Sequence, residues 1–228
     1  MDFESKVAIV LGTSSGLGFS SAVSLLEKGY LVFGGSRSES TIVHDNFFEF
    51  EVDLTIENQI KNFIIEVKAE TEVVDIVVNA VGMCEMNSAG DTSARDLRMH
   101  YETNVIGHFN FMKYFEPLII AGDTHIINIF SISAKRYFPN TIAYSAAEFA
   151  KKAMLGVLEK EWKKYEVRFT NMYIGAVDTP LWDDYPEVER SAMLDISDYS
   201  YMFNMVVDAP DSIQFPELTF LHRDGFLD

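Results

Sequence analysis

Val7-Ala8-Ile9-Val10-Leu11-Gly12-Thr13-Ser14-Ser15-Gly16-Leu17-Gly18 holds the change of periodicity that decides the fold. Its first five residues are apolar without alternation, the pattern of a strand buried on both faces of a parallel sheet. Over residues 17–28 apolar side chains recur at Leu17, Ala22, Leu25 and Leu26, a helical spacing that stops at Gly29, a C-terminal stop signal. Strand, glycine turn and helix therefore follow in sequence. Such a turn aims free backbone N–H groups and the positive end of a helix dipole at one point, which favours a phosphate. The glycines alone fit a tight turn equally well, and the flanking strand and helix favour the phosphate reading.

The alternation continues outward. Strands are predicted near residues 30–33, 47–52, 73–78, 125–130 and 167–173, with helical stretches between most of them and a last short strand over 217–222. Two long helices are predicted around 97–115 and 142–162. Residues 36–46 are too few and too polar for a full crossover helix, which predicts an abbreviated connection there. This is α/β architecture: a single-domain, Rossmann-like, doubly wound parallel sheet with helices on both faces, spanning 1–228.

Composition sets limits on function. With 48% hydrophobic residues the chain can build a sizeable core. A net charge of −17 disfavours nonspecific binding to nucleic acid or anionic lipid, so any phosphate must be held locally. Cys84 is the one cysteine, which excludes an intrachain disulfide and a four-cysteine metal site. His44, His100, His108, His125 and His222 show no helix-spaced ligand motif, and no metal is assigned. The acidic start from Met1 to Lys6 is unlike a secretory leader, and no apolar run reaches membrane-spanning length. These features predict a cytoplasmic protein with no membrane partner.

The spacing of Gly12, Gly16 and Gly18 resembles that of the short-chain dehydrogenase/reductase family, and further motifs match in order. They are Asp53-Leu54 after the third strand, Asn79-Ala80-Val81-Gly82 after the fourth, Asn104-Val105 in a helix, then Ser131 and Tyr144. The resemblance implies that the turn from Gly12 through Thr13, Ser14, Ser15, Gly16 and Leu17 to Gly18 holds a nicotinamide nucleotide. It further implies that Asp53 and Leu54 flank the adenine, that Asn79 stabilises the sheet, and that Ala80 and Gly82 line a ribose. The alternative for Asp53 is helix capping, for which Thr55 and Glu57 make a suitable neighbourhood.

The second strand ends in Gly34-Gly35-Ser36-Arg37-Ser38, where an NAD-preferring protein carries an acid for the ribose 2′-hydroxyl. The guanidinium of Arg37 and the hydroxyls of Ser36 and Ser38 suit a 2′-phosphate instead, so NADP(H) is preferred over NAD(H). The competing reading of Arg37 is a solvated turn residue.

By the same resemblance Tyr144 is the proton donor or acceptor, Ser131 holds the reacting oxygen and Asn104 supports a relay water. Hydride transfer to a carbonyl builds negative charge on oxygen, which a hydroxyl and a general acid relieve. Local alternatives are a core tyrosine with a satisfied hydroxyl and a strand-end serine bonded to backbone. The family has lysine four residues after the tyrosine, and here Glu148 stands there. A lysine lowers the tyrosine's proton affinity; an ionised glutamate raises it. Lys151 and Lys152 can pair with Glu148 across the helix surface but are expected on a solvated face, Lys152 beginning roughly 12 Å along the axis from Tyr144.

Gly175, Val177 and Thr179 fall in a segment resembling the family's nicotinamide carboxamide contact, with Ile174 in place of its leading proline. Residues 181–193 are expected to form a mobile substrate loop. Phe130, Tyr137, Phe138 and Trp182 suit either an apolar pocket or the core. Asp183, Asp184, Glu187 and Glu189 repel anionic substrates if they face the opening, although a solvated surface is the commoner place for such a run. The functional reading is NADP(H)-dependent oxidoreduction of a small carbonyl or alcohol by a homodimer or homotetramer. Its alternative is a nucleotide-binding pseudoenzyme or catalytically disabled variant.

Overall fold

A computed structural model describes residues 6–119 and 124–225, so the opening Met1 to Ser5 lies outside the described residues. The strands are β1 (Val7–Leu11), β2 (Leu31–Ser36), β3 (Phe47–Glu51), β4 (Ile76–Asn79), β5 (His125–Ser131), β6 (Arg168–Ile174) and β7 (Glu217–Phe220). The helices are α1 (Gly16–Glu27), α2 (Glu57–Glu70), α3 (Ala94–Tyr101), α4 (His108–Phe115), α5 (Ile142–Glu161) and α6 (Ile196–Val207). All pairings are parallel, in the order β3-β2-β1-β4-β5-β6-β7. This is the expected Rossmann-like, doubly wound α/β sheet.

Strand pleating explains the unbroken apolar runs. Val7, Ile9 and Leu11 point to one face, where they meet Ile60, Phe63, Ile64 and Val67 of α2 and Phe111, Met112 and Phe115 of α4. Ala8 and Val10 point to the other, against Ala22, Leu25 and Leu26 of α1 and Tyr199 and Phe203 of α6. Both faces are covered, so every position of β1 is apolar.

Strand order reverses between β1 and β4, which opens a crevice at their carboxyl ends. The glycine turn forms one lip and the segment after Asn79 the other. Residues 37–46 carry no helix, as their length predicted. The helix predicted over 97–115 starts earlier and is interrupted: a π-helical stretch, Glu102–Gly107, joins α3 to α4. Strand β2 runs further than expected because Gly34 and Gly35 are part of it. Phe47 fills the space beside Gly34, and a Cβ there would stand 2.6 Å from the ring.

Gly18 is the tightest point. A Cβ there would lie 2.2 Å from the Gly12 carbonyl oxygen, a backbone atom that cannot turn aside. Gly18→Ala is expected to cost about 1–3 kcal/mol, a fall of roughly 3–10 °C in thermal midpoint for a chain of this size. A midpoint equal to that of the unsubstituted chain contradicts the close approach.

Candidate active site

The glycine turn is shaped as a cradle. Gly12 and Gly16 have φ of 92° and 57°, a region that side chains disfavour. Gly12 N–H donates to Gly35 O at 2.7 Å and Ala80 N–H to Leu11 O at 3.2 Å, tying the turn to both neighbouring strands. Thr13 is buried, Ser14 and Leu17 are half-buried and Ser15 is exposed. At the start of α1, Ser15 occupies the N-cap without a side-chain cap bond, and the first turn holds no acid. The amide donors there are left for an external anion.

The surrounding positions have distinct local roles. The Ser36 hydroxyl is buried, donates to Ser38 O at 2.7 Å and lies 3.4 Å from Thr13 Oγ1, so it holds the turn together. Arg37 and Ser38 are exposed, and among the described residues no ion pair engages Arg37. Asp53 Oδ1 accepts from both Thr55 N–H and Thr55 Oγ1, while the N-cap of α2 is Ile56. Leu54 is in the core, pressed under Gly107. Asn79, Asn128 and Asn171 are in register on adjacent strands and hydrogen-bond in a row at 2.7 and 2.9 Å. Ala80 is half-buried and Gly82 exposed at the mouth.

Asn104 is fully buried in the π-helical stretch, a feature frequent at functional sites. Its side chain accepts Met83 N–H at 2.8 Å and donates to Met83 O at 2.9 Å, clamping the segment after β4. Thr179 lies over Gly16, its Cγ2 3.6 Å from where a Cβ would stand. Gly175 N–H donates to Phe220 O, and Val177 is buried with its carbonyl accepting Trp182 Nε1–H at 3.0 Å. Tyr185 closes the loop onto the opposite lip, its hydroxyl accepting Met86 N–H at 3.2 Å.

Ser131 ends β5 and Tyr144 stands in the first turn of α5. Burial raises the Tyr144 phenol well above its ordinary value, and Glu148 and Cys84 add to this; a hydrogen bond with the Ser131 hydroxyl opposes it. Ser131 Oγ also accepts Ser133 N–H at 3.1 Å. Cys84 is pushed up to about 12, first by burial and then by Glu148 and Glu85, and keeps its proton.

Glu148 turns inward, its Oε2 accepting Ser131 N–H at 2.9 Å. Lys151 corrects the solvated-face expectation: it is 3% exposed, with Nζ 2.6 Å from Glu148 Oε1, an ion pair by distance without good hydrogen-bond alignment. The signal was present in the sequence, because 144, 148, 151 and 155 share one face of a helix and Leu155 belongs to the core. Lys152 is half-buried, its Nζ 5.0 Å from the Tyr173 ring centroid. The residues considered for an apolar pocket separate: Phe130 stacks on Tyr173 in the core, whereas Tyr137 is 81% exposed. Among the described residues no group of histidine, cysteine and carboxylate side chains could hold a metal ion.

A family model described as short chain dehydrogenase matches residues 6–190. The chain belongs to that family. It is 33% identical over 184 residues to a 3-amino-tetrahydro-pyrrolizinone reductase of Xenorhabdus hominickii, covering 79% of this chain and 64% of that relative's length. The NADPH-dependent 1-acyldihydroxyacetone phosphate reductase of Saccharomyces cerevisiae is 25% identical over 82% of this chain and 66% of its own. In fold the chain is similar to an alcohol dehydrogenase of Thermococcus sibiricus complexed with 5-hydroxy-NADP, with TM-score 0.88, 21% identity and coverage of 99% and 100%. No described helix is long and apolar enough to cross a membrane.

Two histidines carry a pH signature. Burial holds His108 down at about 3, with Lys151 adding to it, and His125 down at about 4, with Arg168 adding to it. An unfolded histidine titrates near about 6.5, so below that pH the unfolded chain binds more protons. Their stabilisation is present above the unfolded value and lost as pH falls toward the folded ones. The denaturant midpoint is expected to drop between about pH 6.5 and 5, less steeply in His125→Gln. Identical slopes in the two chains contradict the assignment.

Proposed function

We propose that this family member is an NADP(H)-dependent oxidoreductase, passing hydride between the nicotinamide and a small carbonyl or alcohol, with residues 1–228 as one domain. The observation that carries the cofactor preference is Arg37, exposed and, among the described residues, without an ion pair, in the acid-free run from Gly34 to Ser38 at the end of β2. Its planar fork matches the oxygens of a 2′-phosphate. The uncapped start of α1 and the Gly12 to Gly18 cradle suit the pyrophosphate. The names of the yeast and Thermococcus proteins, one NADPH-dependent and one solved with 5-hydroxy-NADP, support the same preference.

When bound, the nicotinamide supplies or accepts the hydride. Tyr144 holds its phenolic proton through the neutral range, because burial and Glu148 both disfavour the phenolate. It is therefore ready to protonate a carbonyl oxygen as hydride arrives, after which solvent restores the phenol. In the reverse direction it must first lose that proton, so alcohol oxidation belongs to alkaline pH. The Ser131 hydroxyl, at the end of β5 beside Tyr144, is the second group for the reacting oxygen. Reduction of a carbonyl is the direction we assign, and the reductase name of the Xenorhabdus relative supports it.

Exposed Leu97, Tyr101, Ile106 and Phe109 on the α3–α4 run, with Ile142 and Val157 on α5, support association into a homodimer or homotetramer. The lone cysteine supports a cytoplasmic setting. A second reading, nucleotide binding without turnover, is favoured by one observation: a glutamate occupies the family's lysine position.

Calorimetric titration separates these readings from the cofactor question. NADPH is expected to bind at least about tenfold more tightly than NADH, and Arg37→Ala to weaken NADPH by roughly 10–100-fold with little effect on NADH. Unchanged selectivity in Arg37→Ala contradicts the 2′-phosphate assignment.

A further inference from the structure

Helix α5 carries Tyr144, Glu148, Lys151 and Leu155 on one line at spacings of four, three and four residues. In the middle of that line sit two opposite charges, 1% and 3% exposed and 2.6 Å apart. Either charge alone at this depth carries an uncompensated desolvation cost.

The pair grips the end of β5 from two sides. Glu148 Oε2 takes the Ser131 N–H at 2.9 Å. Lys151 Nζ lies 3.4 Å from the Ile129 carbonyl and 4.9 Å from the Phe130 ring centroid. Three consecutive residues, ending in the serine that faces Tyr144, are thus tied to α5. A neutral glutamine at 148 could accept the same amide bond, so that bond alone does not account for a buried ion pair.

We propose that Lys151 is a positioning residue of the active site, which through Glu148 fixes Ser131 and offsets part of the negative charge behind Tyr144. This rests on the oxidoreductase reading of the same site.

The other groups facing the pair leave Lys151 that role. From the segment after β4, Cys84 remains a thiol and Glu85 adds negative charge. From α3, His100 is held at Nδ1 by Asp96 O, 2.8 Å away, and at Nε2 by Glu85 N–H, 3.1 Å away. From α4, His108 is neutral and its Nε2 has no hydrogen-bond partner among the described residues. From β6 comes Tyr173, over which Lys152 lies. Among the described residues, Lys151 is the cation in contact with Glu148.

A consequence is that Glu148→Lys alone does not recreate the family arrangement. It sets ammonium against ammonium in a buried site. Recreating it requires a second change at 151.

The test compares Lys151→Met, Lys151→Arg, Glu148→Lys and the swap Glu148→Lys/Lys151→Glu with the unsubstituted chain. Thermal midpoint, NADPH affinity, kcat, KM and the pH profile of alcohol oxidation are measured for each. Glu148→Lys is expected to lose roughly 10 °C of midpoint, most of it recovered in the swap. Lys151→Met, assayed below its midpoint, is expected to keep NADPH affinity within about threefold and lose about tenfold in kcat, its oxidation profile moving to higher pH. Lys151→Arg restores part of that loss, and the swap moves the profile to lower pH. An unaltered kcat and pH profile in Lys151→Met, or a swap no more stable than the summed single changes, overturns the proposal. An unsubstituted chain that binds NADPH but reduces no carbonyl overturns the oxidoreductase reading itself, a failure visible before any substitution is made.

Discussion

The contact between α1 and the end of β1 fixes where everything else must lie. With no room for a Cβ between Gly18 and the Gly12 carbonyl, the helix starts directly on the strand, and its free amides face the crevice where the strand order reverses. The second lip is set by equally specific backbone bonds: Ala80 N–H to Leu11 O, and the two-point clamp of Asn104 on Met83. Thr179 and the loop carrying Tyr185 then close over the same opening. The crevice follows from backbone packing before any side chain proposed as reactive is considered.

The side chains proposed as reactive answer a different constraint, the electrostatics of a half-buried tyrosine whose phenol is desolvated. A desolvated tyrosine resists ionisation, and a carboxylate in the next turn reinforces that resistance. The protein accommodates Glu148 by turning it onto the Ser131 amide and pairing it with Lys151. The altered position is therefore integrated into the fold, with its charge compensated from within the same helix.

Much of this was legible in the sequence because burial on both faces leaves an unmistakable pattern in β1, and because the glycines, Ser131 and Tyr144 fall at readable separations. What escaped did so for particular physical reasons. Strand β4 begins later than its apolar run, since the Asp75 carboxylate accepts Val7 N–H at 2.6 Å just before the strand. Strand β2 outlasts its apolar run near 30–33, because Phe47, Leu11 and Val52 pack where side chains at Gly34 and Gly35 would be. The π-helical stretch around Asn104 leaves no mark in the apolar spacing. Lys151 was misread because lysines on helices are usually solvated, although its position relative to Leu155 already placed it on the buried face.

The most direct measurement of the central claim follows the hydride itself. NADPH deuterated at the transferring position of its nicotinamide is incubated with the unsubstituted chain and a panel of small aldehydes and ketones, and the alcohols formed are weighed by mass spectrometry. The account predicts deuterium on the former carbonyl carbon of at least one product, and its disappearance in Tyr144→Phe. NADPH bound to the chain with no labelled alcohol from any member of the panel would contradict it.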